Sequence, residues 1–166
     1  MKVQIPLDTN PEIAAALGRF VGHFAMVEQC LIGILGRLLG VNQPRAQIVY
    51  AKFISLTTKL GLMQELAEHF VADGTLKDEL VSLLAKATKL NKRRNTYIHS
   101  AWAAGNNASS LARLNADRRA PEIVTAARIQ QDVDEVAELS ARFQDFQFRV
   151  SPNLVIHDVP PAWLLS

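Results

Sequence analysis

Apolar residues recur along most of this chain at alternating intervals of four and three. The first row is Ile13, Leu17, Phe20, Phe24, Val27, Leu31, Ile34 and Leu38. That interval follows the 3.6-residue period of a helix with one side turned to a core. It predicts a helix over about 10–39, with Pro11 in its first position, Glu12 in its first turn and Gly40 as its stop. The neighbouring row is Ala14, Gly18, Val21, Ala25, Glu28, Ile32, Leu35 and Leu39, and Glu28 is the one charge in either row. Arg19, His23 and Arg37 fall on the solvated side, and Cys30 is placed on the outer side as well.

A second row, Val49, Phe53, Leu56, Leu60, Met63, Ala67 and Phe70, predicts a helix over 44–71 that enters through Asn42-Gln43-Pro44. Asp73-Gly74 reads as a turn, and Thr75 with Asp78 as a capping box for the next helix. That third helix is expected over 76–102, with Leu76, Leu80, Leu83, Ala87, Leu90, Arg94, Tyr97 and Ala101 as its row. Residues 110–114 and 122–125 read as a short hairpin whose tip carries Arg118 and Arg119. Thr125 is placed to cap a fourth helix over 126–149, with Ile129, Val133, Val136, Leu139, Phe143 and Phe146 inward. Its first half holds Asp132, Asp134, Glu135 and Glu138, the charge sign that a helix start favours. The tail, 151–166, is expected to pack on the domain or on a neighbouring subunit through Trp163, Leu164 and Leu165. These elements make one all-α domain over 1–166: an up-and-down four-helix bundle with a short hairpin-like insertion before the last helix.

Composition narrows the class. The chain has 166 residues, 49% of them hydrophobic and 20% charged, which suits one soluble domain with a sizeable core. The apolar share also suits a buried homodimer interface. A net charge of +2 does not by itself argue for nucleic acid. A single cysteine excludes an intrachain disulfide and a multi-cysteine metal site. No histidine or carboxylate pair has ligand spacing coupled to a third ligand, so no metal and no cofactor is expected. The first eight residues carry no signal-peptide core, and the apolar run Cys30–Val41 is interrupted by Arg37. A cytoplasmic protein with no membrane partner is therefore expected.

The polar intruders on the apolar faces are the candidates for chemistry. Arg94 stands on the third helix's inward row, while Arg93, one residue and about 100° away, is placed on the solvated side with Lys86 and Lys89. Lys92 adds to the positive charge of this helix. Asn95 and His99 are four apart and stack on one flank. A buried guanidinium needs a partner, and Glu28 is the other charge on an apolar face. A Glu28–Arg94 contact is the expectation, and it reads equally as a structural ion pair or as part of an active site.

The run Arg94-Asn95-Thr96-Tyr97-Ile98-His99 resembles the arginine–polar–spacer–histidine signature of HEPN-domain proteins, and His99-Ser100-Ala101-Trp102 resembles its continuation in bacterial members. The position agrees: the third long helix of an all-α domain, on the inward face. The resemblance covers residues 10–150 as architecture and 94–99 as a motif. It implies a HEPN-like fold and a metal-independent endoribonuclease, of the kind that serves as a toxin or phage-defence effector. It allows equally a non-catalytic RNA-binding or protein-interaction module of the same fold. It further implies a homodimer with the two motif helices facing across a cleft, RNA as partner and, for a toxin, an antitoxin protein.

Carried onto this chain, His99 would be general base or acid for a ribose 2′-hydroxyl. Arg94 would hold the phosphate, and Asn95 would orient His99 or bond the RNA, with Glu28 in support. Lys86, Lys89, Lys92 and Arg93 would attract the phosphate backbone. The products would be a 2′,3′-cyclic phosphate and a 5′-hydroxyl end. Toxins of this family that are silenced by nucleotide transfer carry a tyrosine two residues after the histidine. This chain has Ala101 there, which leaves that form of control without support.

Overall fold

The computed structural model describes residues 7, 10–104, 110–114 and 122–150. The expected hairpin tip with Arg118 and Arg119, and the tail 151–166, lie outside the described residues. Among the described residues there are five helices and three strands: α1 (Pro11–Leu38), α2 (Gln43–Lys52), α3 (Leu56–Phe70), α4 (Gly74–His99), β1 (Ala101–Ala104), β2 (Ser110–Leu114), β3 (Glu122–Thr125) and α5 (Ala126–Val150). The protein is thus mostly helical with a small antiparallel sheet. By its internal contacts it divides into two units, Met1–Glu28 with Ala87–Ala141, and Gln29–Lys86 with Arg142–Ser166.

α1 begins at Pro11 and ends where the sequence places its stop. Gly40 has φ +63°, a left-handed conformation that only glycine adopts without a side-chain penalty. The Gly40 amide donates to the Arg37 carbonyl (3.1 Å) and the Val41 amide to the Gly36 carbonyl (2.9 Å), which closes a Schellman motif. Of the four-three row, Ile13, Phe20, Phe24, Val27, Leu31, Ile34 and Leu38 are buried, and Leu17 is half-buried. Cys30, placed outside by the pattern, is buried too, and burial pushes its thiol pKa up. It sits beside Leu31, close enough to the apolar row that a small side chain is covered. α1 is also long and apolar enough to cross a membrane by length and composition, but half of the qualifying stretch is buried inside the protein. A core helix passes the same test.

The single helix expected over 44–71 is two. Phe53 and Ser55 have extended backbones, and Ser55 caps α3 by accepting from the Thr58 amide at 3.4 Å. The interruption escapes the hydrophobic pattern because Phe53 and Leu56 keep the interval of three across it. Ile54, between them, is fully exposed. Asn42 caps α2, accepting from the Arg45 amide at 3.2 Å. α4 starts two residues earlier than expected. Asp73, not Thr75, supplies the cap, accepting from the Leu76 amide at 3.0 Å.

The other end of α4 is also corrected. The helix stops at His99, and Ala101–Ala104 turns into a strand. Ser100 donates its hydroxyl to the Thr96 carbonyl, and the Trp102 indole N–H donates to the Tyr97 carbonyl at 3.2 Å. Side chains therefore take carbonyls of the last turn, and the following backbone pairs with β2 instead of continuing the helix. The sheet order is β1-β2-β3, all antiparallel, with Ala101 opposite Leu114 and Ser110 opposite Thr125. The expected pairing of 110–114 with 122–125 is present, with a third strand added. Trp102, Arg113 and Glu122 are successive cross-strand neighbours, and Arg113 forms an ion pair with Glu122.

Thr125 caps α5, accepting from the Arg128 amide at 3.2 Å. The inward row of α5 is buried from Ile129 to Phe146. Burying each such aliphatic or aromatic side chain contributes about 1.5–3 kcal/mol. In the second unit Gln147 of α5 crosses α1 at Gly33, where a Cβ would stand 2.1 Å from the Gln147 amide nitrogen. Arg149 of α5 bonds Glu79 of α4 (2.6 Å) and Asp145 one turn back (2.8 Å) in the same unit.

Candidate functional site

The candidate residues belong to the last two turns of α4, and what fixes those turns lies on α1 and α5 of the same unit. Tyr97 is the centre. It is on the apolar row, buried, and its ring meets Phe20 of α1 edge-on at 5.7 Å and an interplanar angle of 87°. Trp102 stacks on its other side at 6.4 Å and 23°. A buried phenol must place its hydroxyl on an acceptor. Here the acceptor is Asp132 of α5, at 2.5 Å.

Asp132 is 1% exposed, although the sequence singles it out only as one of four acids suited to the start of the last helix. Its second oxygen accepts from Arg93 at 2.6 Å, and Glu135, one turn further along α5, accepts from the same guanidinium at 2.8 Å. Arg93 is therefore not the solvated cation that periodicity predicts. Its side chain is 31% exposed and reaches along α4's flank to two carboxylates. The Tyr97 phenol is held well above its usual pKa range, first by burial, then by its hydrogen bond to Asp132 and by that carboxylate's charge. Arg128 opposes the shift and Glu122 adds to it. Tyr97 thus remains a protonated donor throughout the physiological range.

Arg94 turns the other way round the helix. Its guanidinium carbon lies 5.9 Å from the Phe24 ring centroid, a cation–π contact with α1. The residue is half-buried, and its Nε is fully enclosed with no hydrogen-bond partner among the described residues. Glu28 stands four residues beyond Phe24 on α1, half-buried and with a partner. Asn95 and His99 are exposed. Five residues separate Arg94 from His99, which sets them about 140° apart around the helix. Asn95 and His99 share one exposed flank, and Arg94 faces inward from it.

Lys86, Lys89 and Lys92 are exposed along α4. In the first unit, a groove is lined by Pro11, Glu12, Ala15, Ala16, Arg19, Ala126, Ala127 and Gln130, and shares no residue with the Arg94–His99 segment. Arg19 there donates to Gln130 at 2.8 Å. Among the described residues no three His, Cys, Asp or Glu side chains are grouped as a metal ion would need.

Sequence reasoning missed the Asp132–Tyr97–Arg93 cluster. Two signals for it exist. Tyr97 on an apolar row demands an acceptor, and Asp132 lies about 60° from the inward Ile129, at the margin of the apolar stripe. Compared with known proteins, the chain matches no family model, no curated protein and no solved structure.

Proposed function

We propose that this protein is a HEPN-like, metal-independent endoribonuclease that cleaves RNA by attack of a ribose 2′-hydroxyl on the adjacent phosphate. The observation that carries the reading is Arg94. It is a half-buried cation on an otherwise apolar row, with an enclosed Nε–H that no described acceptor takes. An unmet buried donor is unfavourable by about 1–3 kcal/mol, and such departures concentrate at functional or strained sites. The donors that meet a phosphate in this reading are the guanidinium's terminal nitrogens, with the enclosed Nε behind them.

In this reading Arg94 holds the phosphate and stabilises the charge that develops on it. His99, on the exposed flank, takes the 2′-hydroxyl proton or protonates the leaving 5′-oxygen, and Asn95 one turn before it bonds the imidazole or the ribose. Glu28 supports Arg94 from α1. Lys86, Lys89 and Lys92 draw the backbone in. Arg93 contributes little to that attraction, because Asp132 and Glu135 already neutralise it. The products are a 2′,3′-cyclic phosphate and a 5′-hydroxyl. The active form is a homodimer, and the large apolar residues Val21, Met26 and Ile98, all exposed in the unit that carries Arg94 and His99, suit a second copy. A toxin or defence role, with an antitoxin protein as controlling partner, belongs to the same proposal.

The test compares purified wild type with His99→Ala. Wild type should leave cyclic-phosphate ends, and the variant, folded by circular dichroism, should lose about 100-fold or more in rate. No cleavage by wild type across RNAs of varied sequence and structure sinks the proposal. A second reading, a non-catalytic helical interaction module, is favoured by the Arg94–Phe24 contact, which gives the arginine a structural use. Arg94→Ala separates the two: a large stability loss with no change in RNA binding belongs to the module.

A further inference from the structure

We propose that Asp132 is a positioning residue: from α5 it fixes the end of α4 that carries Arg94 and His99, acting through Tyr97 and Arg93. The inference rests on the ribonuclease reading only for what that end of the helix does. Asp132 is 1% exposed and is bonded by both side chains, at 2.5 Å from the phenol and 2.6 Å from the guanidinium. Arg93 and Tyr97 are four apart, one turn of α4. Two attachments one turn apart, on a single carboxylate, determine the rotation of the helix about its axis as well as its distance from α5.

That rotation decides where the residues between and beyond them point. Arg94 follows Arg93 directly, and His99 is two residues past Tyr97. Turning the last turns by the angle of one residue, about 100°, would carry Arg94 away from Phe24 and His99 off the exposed flank. The same side chain also controls the exit. The Tyr97 carbonyl accepts from the Trp102 indole at 3.2 Å, and Trp102 stacks on the Tyr97 ring, so the turn from His99 into β1 is built against the anchored tyrosine. The network therefore runs Asp132 to Tyr97 to Trp102, and His99, the last residue of α4, lies between the two residues it ties together. Its polar groups are taken up by one another and by the Tyr97 carbonyl, so it positions and does not catalyse.

Amide hydrogen exchange on the full chain tests this without any RNA, with Tyr97→Phe and Asp132→Asn as variants. Tyr97→Phe keeps both ring contacts and removes one hydrogen bond. It should accelerate exchange of the amides of residues 96–99 about tenfold, with α3 amides unchanged. Asp132→Asn, which weakens both attachments, should do so more strongly. Where wild type cleaves RNA, both variants should lose about tenfold or more in kcat with a smaller change in KM, because the lysines that draw RNA in are untouched while Arg94 shifts. Exchange at 96–99 that matches wild type overturns the proposal, as does acceleration shared equally with α3, or a wild-type kcat in both variants. Failure of wild type to cleave RNA overturns the ribonuclease reading instead, and the exchange comparison then decides the positioning role alone. If Asp132→Asn does not fold, Tyr97→Phe carries the test.

Discussion

Asp132 is the residue on which the first unit depends most sharply. A carboxylate removed from water is tolerable only while its partners stay in place. Asp132→Ala leaves Tyr97 and Arg93 without their shared acceptor, and should lower unfolding free energy by about 3 kcal/mol in a denaturant titration. Tyr97→Phe should lose about 1–2 kcal/mol, since only one hydrogen bond goes. The phenol also makes a pH prediction. Its folded pKa lies above the unfolded value, so its contribution is complete below about pH 10 and is lost as pH rises from there towards the folded value. In the unfolded chain the phenol ionises first, which draws the equilibrium towards unfolding. Wild-type stability measured across that alkaline window should fall more steeply than that of Tyr97→Phe, which has no phenol to ionise. Equal slopes would remove the argument that burial and Asp132 hold the proton.

For the helices, a glycine within α1 and the glycine that follows it show how one residue type can act in opposite ways. Gly18 has open space where a Cβ would stand, so Gly18→Ala should raise stability by about 0.5–1 kcal/mol through helix propensity alone. Gly40 also has space, but its φ of +63° penalises any Cβ, and Gly40→Ala should lower stability by about 1 kcal/mol. Thermal melts of the two variants should shift in opposite directions. The break between α2 and α3 has a similarly local cause. Ser55 accepts from Thr58, and Ser55→Ala should cost about 1 kcal/mol as a lost cap. The cap of α5 was readable because Thr125 stands just before an apolar row, whereas Asn42 was read only as part of a turn. The end of α4 was not readable, because Trp102 and Ser100 stop it from beyond the helix and β2 then takes the chain.

Taken whole, the proposed ribonuclease makes two demands that can be measured. Lys89→Ala should weaken RNA binding alike for all sequences and reduce the slope of log affinity against log salt by about 0.7, the share of one phosphate contact on a single strand. Ile98→Glu, at an exposed apolar position of the proposed dimer face, should leave the fold intact and yield monomers by sedimentation, with cleavage lost. Unchanged association would place the homodimer elsewhere or nowhere. The helical character, the inward rows of α1, α4 and α5, the Gly40 stop and the pairing of β2 with β3 were all legible in the chain. Each follows from interactions between residues near in sequence, or from a periodicity that any buried face must obey. The fate of Arg93, the burial of Asp132 and Cys30, and the orphaned Nε of Arg94 were not. Periodicity assigns a side to each residue, but a long cationic side chain can reach around its helix. Which carboxylate it meets depends on how α4 and α5 are set against one another within the first unit, and only the folded chain brings residues 93 and 132 together.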